Sequence, residues 1–159
     1  MTDDVAKISA LRLEISIAAP PAAVWQSLTT DIGAWWPAEF YAGGVEGKRT
    51  FRLEAKPGGH MREDWQDGGG VLWATVVMVE PRVRLQVIGY AFPGWGGPSQ
   101  WFGNWELRAN GTGTRLKFQE HAIGRVSGSL LEEKEKGWRF LWDVMKARLE
   151  GTRAPVWSD

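Results

Sequence analysis

The sequence predicts an α+β fold: a curved antiparallel sheet of about six or seven strands wrapped around a long carboxy-terminal helix, with two short helices after the first strand. Three observations lead there. Apolar and polar residues alternate with period two in about seven segments, and the connections between them are short and rich in glycine and proline, which argues for antiparallel neighbours rather than a doubly wound parallel sheet. Residues 129–150 instead space their apolar side chains as a helix does. Tryptophan occurs eleven times against two tyrosines, more ring volume than a small solid core comfortably holds; the rings either line a cavity or brace a thin sheet against the helix.

Each element follows from local signals. In "LRLEISIA" Leu11, Leu13, Ile15 and Ile17 oppose Arg12, Glu14 and Ser16, a strand with one wet face. "APPAAVWQSLTT" changes period, with Pro20 and Pro21 suited to a helix start and Val24, Trp25 and Leu28 at helical spacing. "DIGAWW" adds one further turn, which Pro37 stops. After a glycine-rich turn at 43–47, "KRTFRLEAK" and "HMREDWQ" read as strands separated by "PGG", and "DGGG" turns the chain into the apolar strand "VLWATVVMVEP". "RVRLQVIGYA" follows through a tight "EPR" connection, with Val83, Leu85, Val87 and Gly89 on one face. "FPGWGGPSQ" is a loop, because two prolines and three glycines do not fit a strand interior. "WFGNWELRA" and "TRLKFQEHA" flank "NGTG", a strong hairpin signal.

The closing helix has a capping-box spacing at Ser129 and Glu132 and a stop at Gly151. Leu130, Leu131, Trp138, Leu141, Trp142, Met145 and Leu149 form its broad apolar side, which Lys134 interrupts; Glu133, Lys136, Arg139, Lys146 and Glu150 occupy much of the other. A helix of about 20 residues is roughly 30 Å long and needs an extended apolar partner, for which the concave side of the sheet is the obvious choice. Gly137 is a weak helix former in its middle. It is either a tolerated surface weakness or a place where a strand, or Trp35 and Trp36, comes close to the helix.

Length and balance narrow the function. The 159 residues suit a single domain over 1–159, with its core at about 9–151 and loose termini. With 19 basic and 19 acidic side chains, nothing in the net charge favours nucleic acid or anionic membrane. No apolar run is long enough to insert into a bilayer, and the acidic start resembles no signal peptide. With cysteine absent, thiolate chemistry is excluded and a cytoplasmic location is the expectation. Composition is silent on homo-oligomerisation.

The order of elements, together with "LEISIAAPPAAVWQSLTT-DIGAWWP", "GVLWATVVMVEPRVRLQVIG" and "GWRFLWDVMKARLEG", resembles the helix-grip fold of the START-like (SRPBCC) superfamily. Within it, the chain resembles the branch related to the carboxy-terminal domain of activators of the ninety-kilodalton heat-shock chaperone ATPase. The resemblance spans about residues 9–151. It implies a cavity between sheet and last helix and a small, largely apolar ligand there, lipid-like or aromatic. It also implies two alternatives: a protein-interaction module with a chaperone or other protein as partner, and an enzyme of the polyketide cyclase type acting on an apolar cyclic substrate. No cofactor is implied.

Candidate ligand-binding residues are the rings Trp35, Trp36, Trp65, Trp73, Trp95, Trp101, Trp105, Trp138 and Trp142, with Glu63 as the polar member. On a strand Glu63 and Trp65 point the same way, so an inward Trp65 brings the carboxylate inward, where it binds a polar group or acts as an acid. Glu106 and Glu120 are further carboxylates; facing outward into water is the simpler reading for all three. For Trp35 and Trp36 the choice lies between packing among the helices and facing ligand. The "YAFPGWGGPSQW" loop, with Trp95 at its tip, is either a cavity rim or an ordinary surface loop. His60 and His121 lack metal-site spacing, so no metal is expected, and no catalytic triad or phosphate loop is present; catalytic residues are not identifiable.

Overall fold

In the computed structural model, which describes residues 5–43 and 47–158, seven strands form one antiparallel sheet. The expected turn at 43–47 falls partly, at 44–46, outside the described residues, as does the stretch 1–4. Strand β1 (Lys7–Ile17) leads into helix α1 (Pro21–Leu28), the short helix α2 (Ile32–Trp35) and a 3₁₀ turn (Ala38–Phe40). Strands β2 (Arg49–Leu53), β3 (His60–Trp65), β4 (Gly70–Glu80), β5 (Arg84–Ala91), β6 (Ser99–Asn110) and β7 (Gly113–Gly124) follow, and helix α3 (Gly128–Glu150) closes the chain. The sheet order is β1-β7-β6-β5-β4-β3-β2, so only β1 and β7 join strands distant in sequence. The sheet with α3 and two short helices after β1 is the helix-grip architecture that the alternation and the helical stripe predicted.

The alternation works because one face of each strand is buried. Leu11 and Leu13 in β1, Leu85 and Val87 in β5, Trp101 and Trp105 in β6 and Leu116 and Phe118 in β7 all point to the same interior. Two register shifts interrupt the pairing, one opposite Met61 and Arg62 of β3 and one between Val76 and Met78 of β4. The first leaves Trp73 as an extra residue between Leu72, which pairs with Arg62, and Ala74, which pairs with Met61. Such bulges bend a strand and re-aim its side chains.

Helix α3 buries Leu141, Trp142 and Met145 against the sheet. Its amino-terminal cap is Ser127 rather than the expected Ser129: the Ser127 hydroxyl accepts the Leu130 N–H at 3.2 Å, and Ser129 lies inside the first turn. Gly151 ends the helix as expected, with φ 69° in the left-handed region that glycine adopts without strain. Gly137 is buried, and the residue that approaches it is Phe40: a β-carbon there would sit 3.4 Å from the Phe40 ring. Beyond the helix, in the segment expected to be loose, Trp157 lies 5.0 Å from the rings of both Phe40 and Phe140.

Below the middle of α3 the interior is solid ring. Trp105, Phe118 and Trp142 are almost fully buried and pack edge-on or tilted at 4.9 to 5.8 Å between centroids. Gly89 of β5 keeps the neighbouring space open for Trp101, whose indole lies where a β-carbon at 89 would be.

Candidate functional site

The interior is open toward the amino-terminal half of α3. A cleft of about 520 Å³ lies there between helix and sheet, within the range of small-molecule sites. The sheet contributes Met61, Trp73 and Trp101, and the segment after α2 contributes Trp36 and Phe40. Leu130, Gly137, Trp138 and Leu141 of α3 form the opposite wall. At the rim, Trp95 is half exposed and stacks on Trp73, with centroids 5.7 Å apart and planes 22° apart. Gly96, at φ 84°, turns the loop so that Trp95 can lie there.

Trp35 and Trp36 occupy different places. Trp35 packs edge-on against Trp142 at 6.3 Å and donates its indole N–H to the Ser27 carbonyl at 2.8 Å, so it fastens α1 and α2 to the core. Trp36 stacks on Phe51 at 3.8 Å and lines the cleft. Pro37 makes the difference, because it forces Trp36 out of helical backbone (φ −56°, ψ 120°) and turns the second ring away from the first.

Glu63 is buried, against the outward reading, yet it does not line the cleft. Its Oε1 accepts the N–H groups of Gly43 and the Trp65 indole, each at 2.6 Å; its Oε2 accepts those of Ala42 at 3.0 Å and the Trp73 indole at 3.2 Å. Burial pushes the carboxyl up, but the hydrogen bonds from Trp65, Ala42, Gly43 and Trp73 together outweigh it and hold the group below its ordinary value. Glu63 therefore ties β3, the bulged β4 and the segment before β2 into the wall behind Trp73.

Glu120 is the buried carboxylate inside the cleft. It shares the inward face of β7 with Leu116, Phe118 and Ala122. Lys134 Nζ donates to its Oε1 at 2.7 Å and the Trp138 indole N–H to its Oε2 at 2.6 Å. A lone carboxylate in that apolar setting would cost several kcal/mol; a cation and a second donor make its burial tolerable.

Of the predicted site residues, the cleft thus gathers Trp36, Trp73, Trp95, Trp101 and Trp138. Trp35, Trp105 and Trp142 lie in the ring-filled core, and Glu63 and Trp65 lie behind the Trp73 wall. Glu106 is held in a half-buried ion-pair cluster with Arg84 and Arg108, and Arg62 pairs with Asp64, all away from the cleft. Sequence reasoning missed Phe40 and Lys134 as cleft residues, and for Glu120, a candidate inward carboxylate, it preferred the outward reading. For the last two the signal was present: Lys134 interrupts an apolar stripe, and Glu120 has the parity of Phe118. Among the described residues no group of three His, Asp or Glu side chains could hold a metal ion, and no helix is long and apolar enough to cross a membrane.

A family model described as Activator of Hsp90 ATPase homolog 1-like protein matches residues 18–150. Among solved structures, the chain is similar to a protein from Rhizobium leguminosarum, with TM-score 0.71 and 18% identity over 92% of this chain and 97% of the other. It is also similar to the Mll3558 protein of Rhizobium loti, with TM-score 0.68 and 20% identity over 91% and 99%. DynU16, from the dynemicin biosynthetic locus, matches at TM-score 0.67 and 23% identity over 92% of this chain and 49% of its own. At these identities the likeness is one of fold. Comparison with curated proteins gives no match.

Proposed function

The chain belongs to the Activator of Hsp90 ATPase homolog 1-like family, and on that premise we propose that it binds a small, largely apolar aromatic molecule in the cleft between the sheet and α3. The observation that carries this is the cleft's wall. Five indoles and Phe40 surround about 520 Å³ that the core rings leave unfilled. Flat rings of this kind accept the faces and edges of an aromatic guest at favourable geometry. A guest burying about 200 Å² of apolar surface would gain about 5 kcal/mol before the costs of immobilisation are subtracted.

The rim offers the cleanest test. Trp95 is half exposed and its loss leaves the core intact, so Trp95→Ala should fold normally while binding aromatic probes more weakly. Titration of intrinsic fluorescence with two- and three-ring aromatics, checked by native mass spectrometry of freshly purified protein, measures both. Quenching that is absent throughout the series, with direct binding of the purified ninety-kilodalton chaperone, would replace this reading by that of an interaction module.

A further inference from the structure

An aromatic cleft needs no charged residues, yet this one contains a buried carboxylate and an ammonium group in contact. Lys134 and Trp138 lie one helical turn apart on α3, which sets both side chains above the same strand, β7. They meet the two oxygens of Glu120, whose residue is 4% exposed. A pair serving stability alone has no need of a place in the wall of a cavity; well-packed apolar side chains do as well or better there.

The hydrogen-bonding capacity of this cluster is only partly used. A carboxylate offers about four acceptor positions and an ammonium group three N–H donors. Glu120 accepts two bonds, one at each oxygen, and Lys134 donates one. Both residues line the cleft. What they present to a guest is therefore a donor and an acceptor side by side, already 2.7 Å apart.

From this we infer that Glu120 and Lys134 are the polar recognition pair of the cleft, and that its ligand is an uncharged aromatic molecule bearing a hydroxyl group. The inference rests on the ligand-binding reading above. A hydroxyl is both donor and acceptor, so it can donate to Glu120 while accepting from Lys134. A carboxylate uses only Lys134 and faces Glu120 and Glu133, which also lines the cleft. An ammonium ligand can donate to Glu120 but sets a second positive charge beside Lys134, which offers its N–H groups no acceptor. A group that neither donates nor accepts leaves the pair without water or partner when the guest closes over it, a cost that discriminates strongly against such ligands.

Matched probes test the inference without an identified ligand: 2-naphthol, 2-methoxynaphthalene, 2-naphthoate and 2-naphthylmethylammonium, each titrated calorimetrically into the wild-type protein at pH 7. Naphthol should bind at least about tenfold tighter than its methyl ether, the factor expected for a hydrogen bond to a charged group. Glu120→Gln should narrow that gap by weakening naphthol more than the ether, whereas Lys134→Met should weaken both, since an ether oxygen also accepts from Lys134, with thermal melts showing that the variants are folded; the wild-type comparison stands whether or not they are. Equal affinity for naphthol and ether overturns the inference and leaves the ligand-binding reading in place. Tighter binding of the naphthoate or the ammonium probe also overturns it, in favour of a charged ligand. No binding by any of the four overturns both.

Discussion

Replacing Glu63 by glutamine changes one atom of a buried side chain, yet it should be among the most damaging polar substitutions available. Four N–H groups converge on the two carboxylate oxygens, two on each. A glutamine amide has one oxygen. If it keeps the two 2.6 Å bonds from Gly43 and Trp65, its NH₂ faces the N–H groups of Ala42 and Trp73; the other rotamer exchanges the pairs. Either way two donors lose their acceptor in a site that is 1% exposed. At about 1–3 kcal/mol for each orphaned group, Glu63→Gln should cost about 2–6 kcal/mol at pH 7, measured by urea unfolding. The pH dependence supplies a second signature. Because folding lowers the Glu63 pKa, its stabilising share is fully present above the unfolded value of about 4.3 and is lost as pH falls through the folded value. The gap between wild type and variant should therefore be wide at pH 7 and narrow as the pH falls below about 4. A difference under about 0.5 kcal/mol, or one that stays constant down to pH 3, would refute the assignment of Glu63 as an ionised structural anchor.

Gly137→Ala should stabilise the protein by up to about 1 kcal/mol in the same assay, since the helix gains a better former and the new methyl meets the Phe40 ring at an ordinary 3.4 Å; a loss would mean that Phe40 cannot yield. Trp138→Phe should cost about 1–3 kcal/mol more than Trp142→Phe, because the first orphans a Glu120 oxygen while the second removes an indole N–H that already lacks a partner. Equal losses would show that the Trp138 N–H contributes nothing to holding Glu120.

Most of the frame was legible because burial on one face leaves a period in the sequence. β1 is plain in Leu11, Leu13, Ile15 and Ile17, and the β6–β7 hairpin in "NGTG", where Gly111 supplies the positive φ of 61°. The site was less legible, for three physical reasons. The bulge at Trp73 displaces a ring from simple parity, and no alternation rule registers an extra residue. Phe40 reaches Gly137 from nearly a hundred residues earlier in the chain, a tertiary contact without local trace. The exposed-carboxylate expectation failed at Glu63 and Glu120 because their partners are indole N–H groups, backbone amides and one lysine, none adjacent in sequence to suggest an ion pair. Lys134 was visible only as an interruption of the apolar stripe. Its meaning depended on which strand lay beneath.

The abundance of tryptophan then has a cause beyond ring mass. Among the described residues two carboxylates, Glu63 and Glu120, are buried, and apart from the one cation beside Glu120 both rely on donors that bring no further charge to be desolvated. Indole supplies one: an apolar ring that packs like phenylalanine and an N–H that reaches an oxygen. Trp65 and Trp73 serve Glu63 in this way, and Trp138 serves Glu120. Trp105 and Trp142, buried without acceptors, show the opposite use, since their N–H groups are a cost that ring packing offsets. The two uses occupy different places. The unpartnered Trp105 and Trp142 fill the closed part of the interior, whereas Trp73 and Trp138, whose N–H groups end on carboxylates, form walls of the open part. Fixing those rings by both packing and hydrogen bonding keeps the cleft from collapsing on itself when no guest is present, which is the preorganisation that a small apolar ligand needs if its modest surface is to give useful affinity.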